Sequence, residues 1–272
     1  MRYLVSGASS YLCSSFIGSK NEKEFLEVVN NYKFKNEEYK KSSLVPRISA
    51  EDLSKSDQEF DCIIHFAASL STDDTSWFDL GKTLIDFSIK NSTPIILLGT
   101  FWQFHDDYRN QTYTKLKMLE QEYLRSKNDT VSNYAICFLG DLYGPSDSRD
   151  KIINHIISSL KINKSFKLKN SMGVMNPIYV EDMTYRLELI SQLLKSKTIF
   201  QENVSLFNQD WYYSHEVLKI IEDCFSPDTE FKKVSENTRT ITHDFGESFF
   251  KLKKLNYPET SLNEGINKIL NI

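Results

Sequence analysis

Tyr113 and Lys117 have the residue types and the spacing needed for proton transfer. Four residues is about one helical turn, so both side chains point the same way if the segment is helical. A nearby ammonium favours the tyrosinate and lets a tyrosine shuttle a proton near neutral pH. Thr100 ends an apolar run 13 residues earlier, where its hydroxyl could bind a substrate oxygen beside the tyrosine. The alternative for Tyr113 and Lys117 is an exposed helix face, and the alternative for Thr100 is a strand-end threonine that caps a loop.

A second candidate site is the N-terminal segment LVSGASSYLC, residues 4–13, which has the pattern of a strand, a turn and a helix. A dinucleotide-binding turn needs a tight bend and free amides at a helix N-terminus to hold pyrophosphate. Gly7 ends the strand as such a turn requires. Ser10 and Cys13 stand where a GxxGxxG pattern would place its other glycines. An ordinary turn between strand and helix is the alternative.

Short apolar runs alternate with helical patterns over the first 140 residues, which predicts a parallel sheet covered on both faces. The predicted strands are residues 2–6, 25–30, 61–69, 94–100 and 133–139, and the predicted helices begin at about residue 11 or cover about 76–90 and 112–126. Such a sheet binds ligands at the carboxyl ends of its strands. We therefore predict an α/β fold, with a Rossmann-type doubly wound parallel sheet over residues 1–145.

The pattern changes after Gly144-Pro145. Strand-like pieces are predicted at 165–168, 177–180 and 204–207, and helices at about 150–161, 181–195, 214–225 and 261–271. Ser214 is a candidate N-cap of the third of these helices. We interpret residues 146–272 as mainly a smaller, substrate-binding C-terminal lobe.

The composition excludes several classes of protein. The chain of 272 residues has 40% hydrophobic and 26% charged residues, which argues against a disordered tail. Its net charge of −4 gives no basic excess for nucleic acid. None of the four cysteines forms a CxxC pair, so we predict no metal site. With no signal peptide and no apolar run of membrane-spanning length, we predict a cytoplasmic protein without a membrane partner.

Four further segments resemble motifs of one enzyme family, in the correct order. DCIIHFAAS at 61–69 resembles D-x-x-x-H-x-A-A, LYGP at 142–145 resembles V-Y-G-P, and MNPIYVEDM at 175–183 resembles R-D-F-x-Y-V-x-D. The C-terminal segment KLKKLNYPETSLNEGINKI resembles K-x-L-G-W-x-P-x-x-S-L-x-E-G-x. With the threonine, tyrosine and lysine, the whole chain resembles the extended short-chain dehydrogenase/reductase family, the group of nucleotide-sugar epimerases, dehydratases and reductases.

This resemblance implies a role for each candidate residue. Tyr113 exchanges a proton with a sugar oxygen, Lys117 lowers the tyrosine's pKa and holds the nicotinamide ribose, and Thr100 binds the same sugar oxygen. The implied cofactor contacts are Gly7, Ser9, Ser10, Tyr11, Leu12, Asn30, Asn31, Lys33, Ala67, Ala68, Ser69, Lys117, Leu139 and Gly140. The implied substrate contacts are Thr100, Phe101, Trp102, Asp141 and Met175.

The cofactor type is argued from the end of the second strand. Family members that use NAD usually carry an acid there for the ribose 2′-hydroxyl. Asn30 and Asn31 stand at that place and Lys33 follows, so a 2′-phosphate is tolerable. We predict NADP(H) as the preferred cofactor, with NAD possible.

The segment after Thr100 narrows the chemistry. Nucleotide-sugar 4,6-dehydratases have an acid pair there, whereas this chain has Phe101, Trp102 and Gln103. The short gap to Tyr113 resembles 4-ketoreductases of the CDP-paratose and CDP-abequose synthase type. We predict NADPH-dependent reduction of the 4-keto group of a nucleotide-linked hexose, in the synthesis of surface-polysaccharide sugars. The alternatives are a nucleotide-sugar 4-epimerase that retains NAD and a non-catalytic NADP(H)-binding protein.

Two departures from the family pattern concern substrate phosphate. Phe138 stands where the family usually has arginine, and Asp141 stands at a position often occupied by asparagine. A carboxylate there repels a phosphate unless it is paired. The resemblance also implies a homodimer, for which Leu116, Leu119 and Tyr123 could supply a face; a core role is the alternative.

Overall fold

The computed structural model describes most of the chain, and the structural statements below refer to that part. The described residues are 1–29, 45–68, 75–127, 129–131, 133–162, 166–168, 171–197, 200–225, 245 and 247–271. Four of the predicted cofactor contacts lie outside these ranges, namely Asn30, Asn31, Lys33 and Ser69.

An eight-stranded parallel sheet forms the centre of the molecule, which confirms the predicted fold class. The strands in chain order are β1 (Tyr3–Ser6), β2 (Phe25–Val29), β3 (Arg47–Ser49), β4 (Cys62–His65), β5 (Ile95–Thr100), β6 (Asn133–Leu139), β7 (Asp141–Tyr143), β8 (Val174–Met175), β9 (Pro177–Tyr179), β10 (Phe200–Ser205), β11 (Tyr212–Tyr213) and β12 (Lys253–Lys254). The order across the central sheet is β12-β10-β6-β5-β4-β1-β2-β3. Two small two-stranded sheets, β11-β8 and β7-β9, lie beside it.

Helices cover both faces of the central sheet. The helices in chain order are α1 (Tyr11–Gly18), α2 (Ala50–Lys55), α3 (Ser76–Asn91), α4 (Asp106–Arg109), α5 (Thr112–Ser126), α6 (Ile152–Lys161), α7 (Val180–Ser196), α8 (Ser214–Phe225), α9 (Glu247–Phe250) and α10 (Leu262–Leu270). Alternate residues of each strand enter opposite cores, because successive side chains of a strand point to opposite faces. Val5 of β1 packs with α1 and α7, whereas its neighbour Leu4 packs with α3 and α5.

The chain after residue 145 is not confined to a separate lobe. β10 pairs with β6 in register from Phe200 opposite Asn133, β12 pairs with β10, and α7 packs against α1. The boundary drawn at 145/146 in the sequence therefore does not coincide with a boundary of the sheet. A smaller core of its own does exist, and it joins α6, α8 and α10 to β8 and β9.

Several local predictions need correction. The strand predicted at 204–207 is β10 and begins four residues earlier, and residues 166–168 form no strand. Ser214 is the first helical residue of α8 and not its N-cap, because its hydroxyl donates to the Gly173 carbonyl. The carboxylate of Glu216 instead accepts the N–H of Tyr213 at 2.7 Å.

Two surface features bear on assembly and location. Leu119 is 48% exposed on α5, and the Tyr123 hydroxyl donates to Asp86 of α3 at 2.7 Å. Leu116, on the same helix, is half-buried. The homodimer through this face stays a prediction. Within the described ranges, no helix is both long enough and apolar enough to cross a membrane.

Candidate active site

The first turn of the chain has the geometry of a dinucleotide-binding turn. Gly7 has φ +75°, a conformation that L side chains rarely adopt. A Cβ at this position would lie 2.8 Å from the backbone of Ala67, so the turn also approaches the end of β4 closely. Gly7 is therefore required by both its conformation and its neighbour.

Ser10 and Cys13 replace glycines without disturbing this turn. Ser10 is the N-cap of α1, with an ordinary φ of −72°, and its hydroxyl accepts the N–H of Cys13 at 3.3 Å. Cys13 is fully buried in the core between α1 and the sheet. The N–H groups of Tyr11 and Leu12 belong to the first helical turn, where the helix supplies no acceptor. These two amides fit an anion such as pyrophosphate.

The other predicted cofactor contacts in the described residues surround this turn. Ser9 is exposed and Ala67 is half-buried at the end of β4, followed by exposed Ala68. Tyr11 donates its hydroxyl to the Pro145 carbonyl at 3.1 Å, so this ring reaches the loop after β7. The carboxyl ends of β1 and β4 therefore form one edge that fits a dinucleotide.

Thr100 ends β5 and caps the short 3₁₀ helix Phe101–Phe104. Its hydroxyl accepts the Trp102 N–H at 3.4 Å, and its own N–H donates to Gln103 at 3.0 Å. Gln103 also exchanges two side-chain amide hydrogen bonds, of 3.0 and 3.1 Å, with Gln121 of α5. The threonine is thus fixed relative to the helix that carries Tyr113. Its hydroxyl proton stays available for an oxygen of a ligand.

Tyr113 lies on the first turn of α5 between two tryptophans. Its ring centroid is 6.2 Å from that of Trp77 and 6.5 Å from that of Trp102. The Lys117 ammonium lies 4.7 Å from the Trp77 ring centroid. The tyrosine and the lysine therefore meet at Trp77, as the one-turn spacing predicts. Lys117 is only 2% exposed, which contradicts the alternative of an exposed helix face.

A carboxylate that the sequence reasoning missed accompanies the lysine. Glu120 Oε2 is 3.5 Å from Lys117 Nζ, and Glu120 Oε1 is 2.9 Å from His65 Nε2. Ser6 Oγ and His65 Nδ1 are 2.6 Å apart. We call these four residues the buried polar cluster. It connects α5 to β4 and to the strand that leads into the Gly7 turn.

A cavity of about 150 Å³ opens beside Tyr113. Six of the predicted site residues line it, namely Trp102, Tyr113, Leu139, Gly140, Asp141 and Met175. Two basic residues that were not predicted, Arg149 and Lys151, line it as well. Tyr113 and two basic side chains therefore line one cavity, whereas Thr100 is not among its lining residues.

Asp141 is paired within this cavity. Its carboxylate accepts the backbone N–H of Asn176 at 3.0 Å. Burial raises the pKa of Asp141 to about 6, opposed by this hydrogen bond and by the positive charges of Lys151 and Arg149. The carboxylate thus has two positive charges near it at the point where the sequence suggested repulsion of a phosphate.

Arg149 joins the cavity to the Gly7 turn. Its guanidinium lies 4.6 Å from the ring centroid of Tyr11, and it binds Asp147 at 2.7 Å and the Leu142 carbonyl at 2.8 Å. No motif pointed to this residue, because its position depends on the loop after β7. The only sequence signal was its place shortly after Gly144-Pro145.

The structure resembles solved structures of nucleotide-sugar enzymes, although no family model and no curated protein matches the sequence. UDP-glucose 4-epimerase from Thermotoga maritima, solved with UDP-glucose, is 14% identical, with a TM-score of 0.69 over 100% of this chain and 98% of that one. The Bordetella bronchiseptica enzyme WbmH, solved with NAD⁺, is 13% identical, with a TM-score of 0.67 over 99% and 97%. UDP-N-acetylglucosamine 4-epimerase from Methanobrevibacter ruminantium is 15% identical, with a TM-score of 0.71 over 99% of this chain and 97% of that one.

The chain has the fold of the extended short-chain dehydrogenases/reductases. At these identities the likeness is one of fold, and it extends over the whole length of both chains in each comparison. The doubly wound sheet and the position of the candidate site at its carboxyl edge agree with this fold.

Two aromatic residues of the predicted site are packed within this short-chain dehydrogenase/reductase fold. Phe101 is 3% exposed and packs edge-on against Trp211, so its ring is a core element and the predicted substrate contact is not supported. Phe138, at the family's arginine position, is also 3% exposed and packs on Phe104 at 4.8 Å. Trp102 is the aromatic side chain after Thr100 that reaches the cavity.

Proposed function

We propose that this chain is a nicotinamide-dependent oxidoreductase that reduces the 4-keto group of a nucleotide-linked hexose, with NADPH as the reductant. The observation that carries the proposal is the shared cavity, in which Tyr113 faces Arg149 and Lys151. A keto sugar linked to a diphosphate needs a proton donor at one end and cations at the other. The preference for NADP(H) over NAD rests on the sequence at Asn30, Asn31 and Lys33.

The residues of the Gly7 turn are suited to hold the dinucleotide. The N–H groups of Tyr11 and Leu12 would bind its pyrophosphate, and the lack of a side chain on Gly7 permits its close approach to Ala67. When bound, NADPH supplies the hydride for carbonyl reduction. The protein's own contribution is to place the sugar and to move the proton.

Tyr113 is assigned the proton transfer to the sugar oxygen. Lys117 lies one helical turn away, and its ammonium contacts the same Trp77 ring that the Tyr113 ring contacts. Thr100 would donate its hydroxyl proton to the same oxygen, since that hydroxyl already accepts the Trp102 N–H. Trp77 is 4% exposed and seals the inner side of the tyrosine from water.

Arg149 and Lys151 are assigned to the substrate diphosphate. Both line the cavity, but Nε and Nη2 of Arg149 already bind the two carboxylate oxygens of Asp147, so Lys151 would make the main contact with the phosphate oxygens. In the segment that resembles R-D-F-x-Y-V-x-D, Met175 occupies the arginine's place. The positive charge in this cavity therefore comes from the loop after β7 and the start of α6, and not from β8.

Two observations separate the candidate reactions. The segment after Thr100 holds Phe101, Trp102 and Gln103, and Gln103 is committed to Thr100 and Gln121, so this segment offers no carboxylate for dehydration. A 4-epimerase with retained NAD is the second candidate. It is favoured by the similar structures of epimerases and of proteins solved with NAD⁺.

NADPH oxidation by the purified chain tests the proposed function. Absorbance at the reduced-nicotinamide band would be followed with CDP-, dTDP-, UDP- and GDP-linked 4-keto-6-deoxyhexoses. We expect NADPH to be consumed with at least one of them, and NADH to be used less efficiently. Binding of neither NADPH nor NADH at micromolar concentration would contradict the enzymatic interpretation.

Asp141→Asn is expected to strengthen substrate binding in a pH-dependent manner. The pKa of Asp141 is about 6, so its carboxylate is negative at pH 7.5 and mostly protonated at pH 5. UDP-glucose serves as a stable probe. At pH 7.5 the variant should bind it about fivefold more tightly, because the removal of the charge repulsion makes the binding free energy more favourable by roughly 1 kcal/mol. At pH 5 the two proteins should bind equally, because the sugar diphosphate stays ionised throughout. A difference that is absent at pH 7.5, or that persists at pH 5, would argue against this role.

A further inference from the structure

The buried polar cluster places three ionisable side chains out of contact with solvent. Ser6, His65 and Glu120 are each 0% exposed, and Lys117 is 2% exposed. Burying a charge is costly unless it is paired. Glu120 is the member that contacts both Lys117 and His65, so it holds the cluster together.

The lack of a side chain at Gly81 leaves space for the Glu120 carboxylate. Gly81 lies inside α3, where glycine costs about 1 kcal/mol relative to alanine and therefore needs a reason. A Cβ there would overlap Glu120 Oε1 and lie 3.0 Å from Glu120 Cδ. In a chain with only 9 glycines, this one leaves room for the carboxylate.

Ser6, His65 and Glu120 have the composition of a hydrolase triad, but their burial excludes that function. A substrate has no access to Ser6 Oγ, which also accepts the Ala67 N–H at 3.4 Å. The cluster is not a proton exit either, because its last member, Ser6, is itself buried. What the geometry supports is the placement of the one member next to Tyr113, which is Lys117.

We infer that Glu120 is a positioning residue, which anchors the Lys117 ammonium beside Trp77 through a carboxylate that Gly81 accommodates. Without Glu120, the contact that remains for the ammonium among the described residues is the Trp77 ring. The anchored ammonium is then held one helical turn from Tyr113. The consequence for catalysis rests on the proposed function, whereas the anchoring itself does not.

The ionisation of Glu120 agrees with this arrangement. Burial opposes its ionisation, yet the charges of Lys117 and His65 and their hydrogen bonds hold its pKa below the usual value. A lowered carboxyl pKa stabilises the folded state above the unfolded pKa, about 4.3 for Glu, and this stabilisation is lost as the pH falls through the folded value. The wild type should therefore lose more stability than Glu120→Gln below about pH 4.

Amine modification of Lys117 tests the anchor without any need for enzymatic activity. The intact protein would be treated with acetic anhydride under conditions where circular dichroism shows it folded, and Lys117 would be compared with exposed Lys115 by peptide mass spectrometry. Glu120→Gln and Gly81→Ala should each raise the rate at Lys117 relative to Lys115 about tenfold, as a charged contact in a buried site is lost. Glu122→Gln, on the exposed face of the same helix, is the matched control and should change nothing.

Gly81→Ala separates anchoring from general damage, because alanine is the better helix former and leaves Glu120 chemically intact. If both variants leave the relative reactivity of Lys117 at the wild-type value, the anchor is excluded. If the enzyme is active as proposed, Glu120→Gln should also lower kcat about tenfold with the substrate KM nearly unchanged. An inactive wild type with a reactive Lys117 in both variants would reject the proposed function and keep the anchor.

Discussion

Tyr113→Phe should lower kcat by at least about a hundredfold, the lower end of what positioned general acids contribute. The substitution removes only the hydroxyl. The ring can keep its place between Trp77 and Trp102, whose centroids lie 6.2 and 6.5 Å away. Cofactor binding should stay within about twofold of the wild type, because the Gly7 turn is untouched. Steady-state NADPH oxidation and a fluorescence titration of NADPH would measure the two effects.

Tyr123→Phe is the matched control for this experiment. Tyr123 lies on the same helix, and its hydroxyl binds Asp86 on the outer side, away from the cavity. Its loss should leave kcat nearly unchanged. Turnover retained in Tyr113→Phe, or lost equally in both variants, would remove Tyr113 from the role of proton donor.

Arg186→Met is expected to cause the largest loss of stability, about 3 kcal/mol. Arg186 is fully buried and donates to the Leu206 carbonyl and to Asn208 Oδ1, each at 2.7 Å. Methionine keeps much of the aliphatic stem but leaves these buried acceptors unpaired, at about 1–3 kcal/mol each. The midpoint of thermal unfolding should fall by roughly 5–10 °C.

The substitution should also weaken the hydrogen-bonded chain that leads from Arg186 to Asp141 in the cavity. The Asn208 N–H donates to the Asn176 side chain at 3.0 Å, and the Asn176 N–H donates to Asp141. Arg125→Met is the control, since Arg125 is exposed and donates to Asn203 at 3.1 Å. Its effect should stay within about 0.5 kcal/mol. Equal unfolding midpoints for the two variants would show that the buried guanidinium does not stabilise this region.

The regular elements were predictable wherever local patterning decides. The helix over 112–126 and the strand over 133–139 coincide with the structure residue for residue, because the helix is rich in strong helix formers and the strand is a nearly continuous apolar run. The co-location of Tyr113, Gly140 and Asp141 also followed from strand order, since parallel strands end at one edge of the sheet. These are consequences of sequence pattern and topology together.

Other features depend on contacts between distant segments. Glu120 and Gly81 are 39 positions apart. The sequence of neither helix alone indicates that Gly81 leaves room for the Glu120 carboxylate. The polar sequence of β10, FQENVS, carries no strand pattern, and its pairing with β6 decides its conformation. The sequence predicts a substrate contact for Phe101, because no spacing in the sequence links it to Trp211 and Phe245. These two residues pack against its ring in the structure.

Transfer of deuterium from (4-²H)NADPH, labelled on the transferred face, tests the central claim most directly. The purified chain would be incubated with the labelled cofactor and a nucleotide-linked 4-keto-6-deoxyhexose, and the product would be examined by mass spectrometry and proton NMR. We predict one deuterium at C4 of the sugar and an equal amount of oxidised cofactor, with transfer by Tyr113→Phe slower by at least about a hundredfold. Epimerisation of a nucleotide hexose at C4 by protein-bound NAD, with no label transferred to any keto sugar, would contradict the reductase and establish the epimerase.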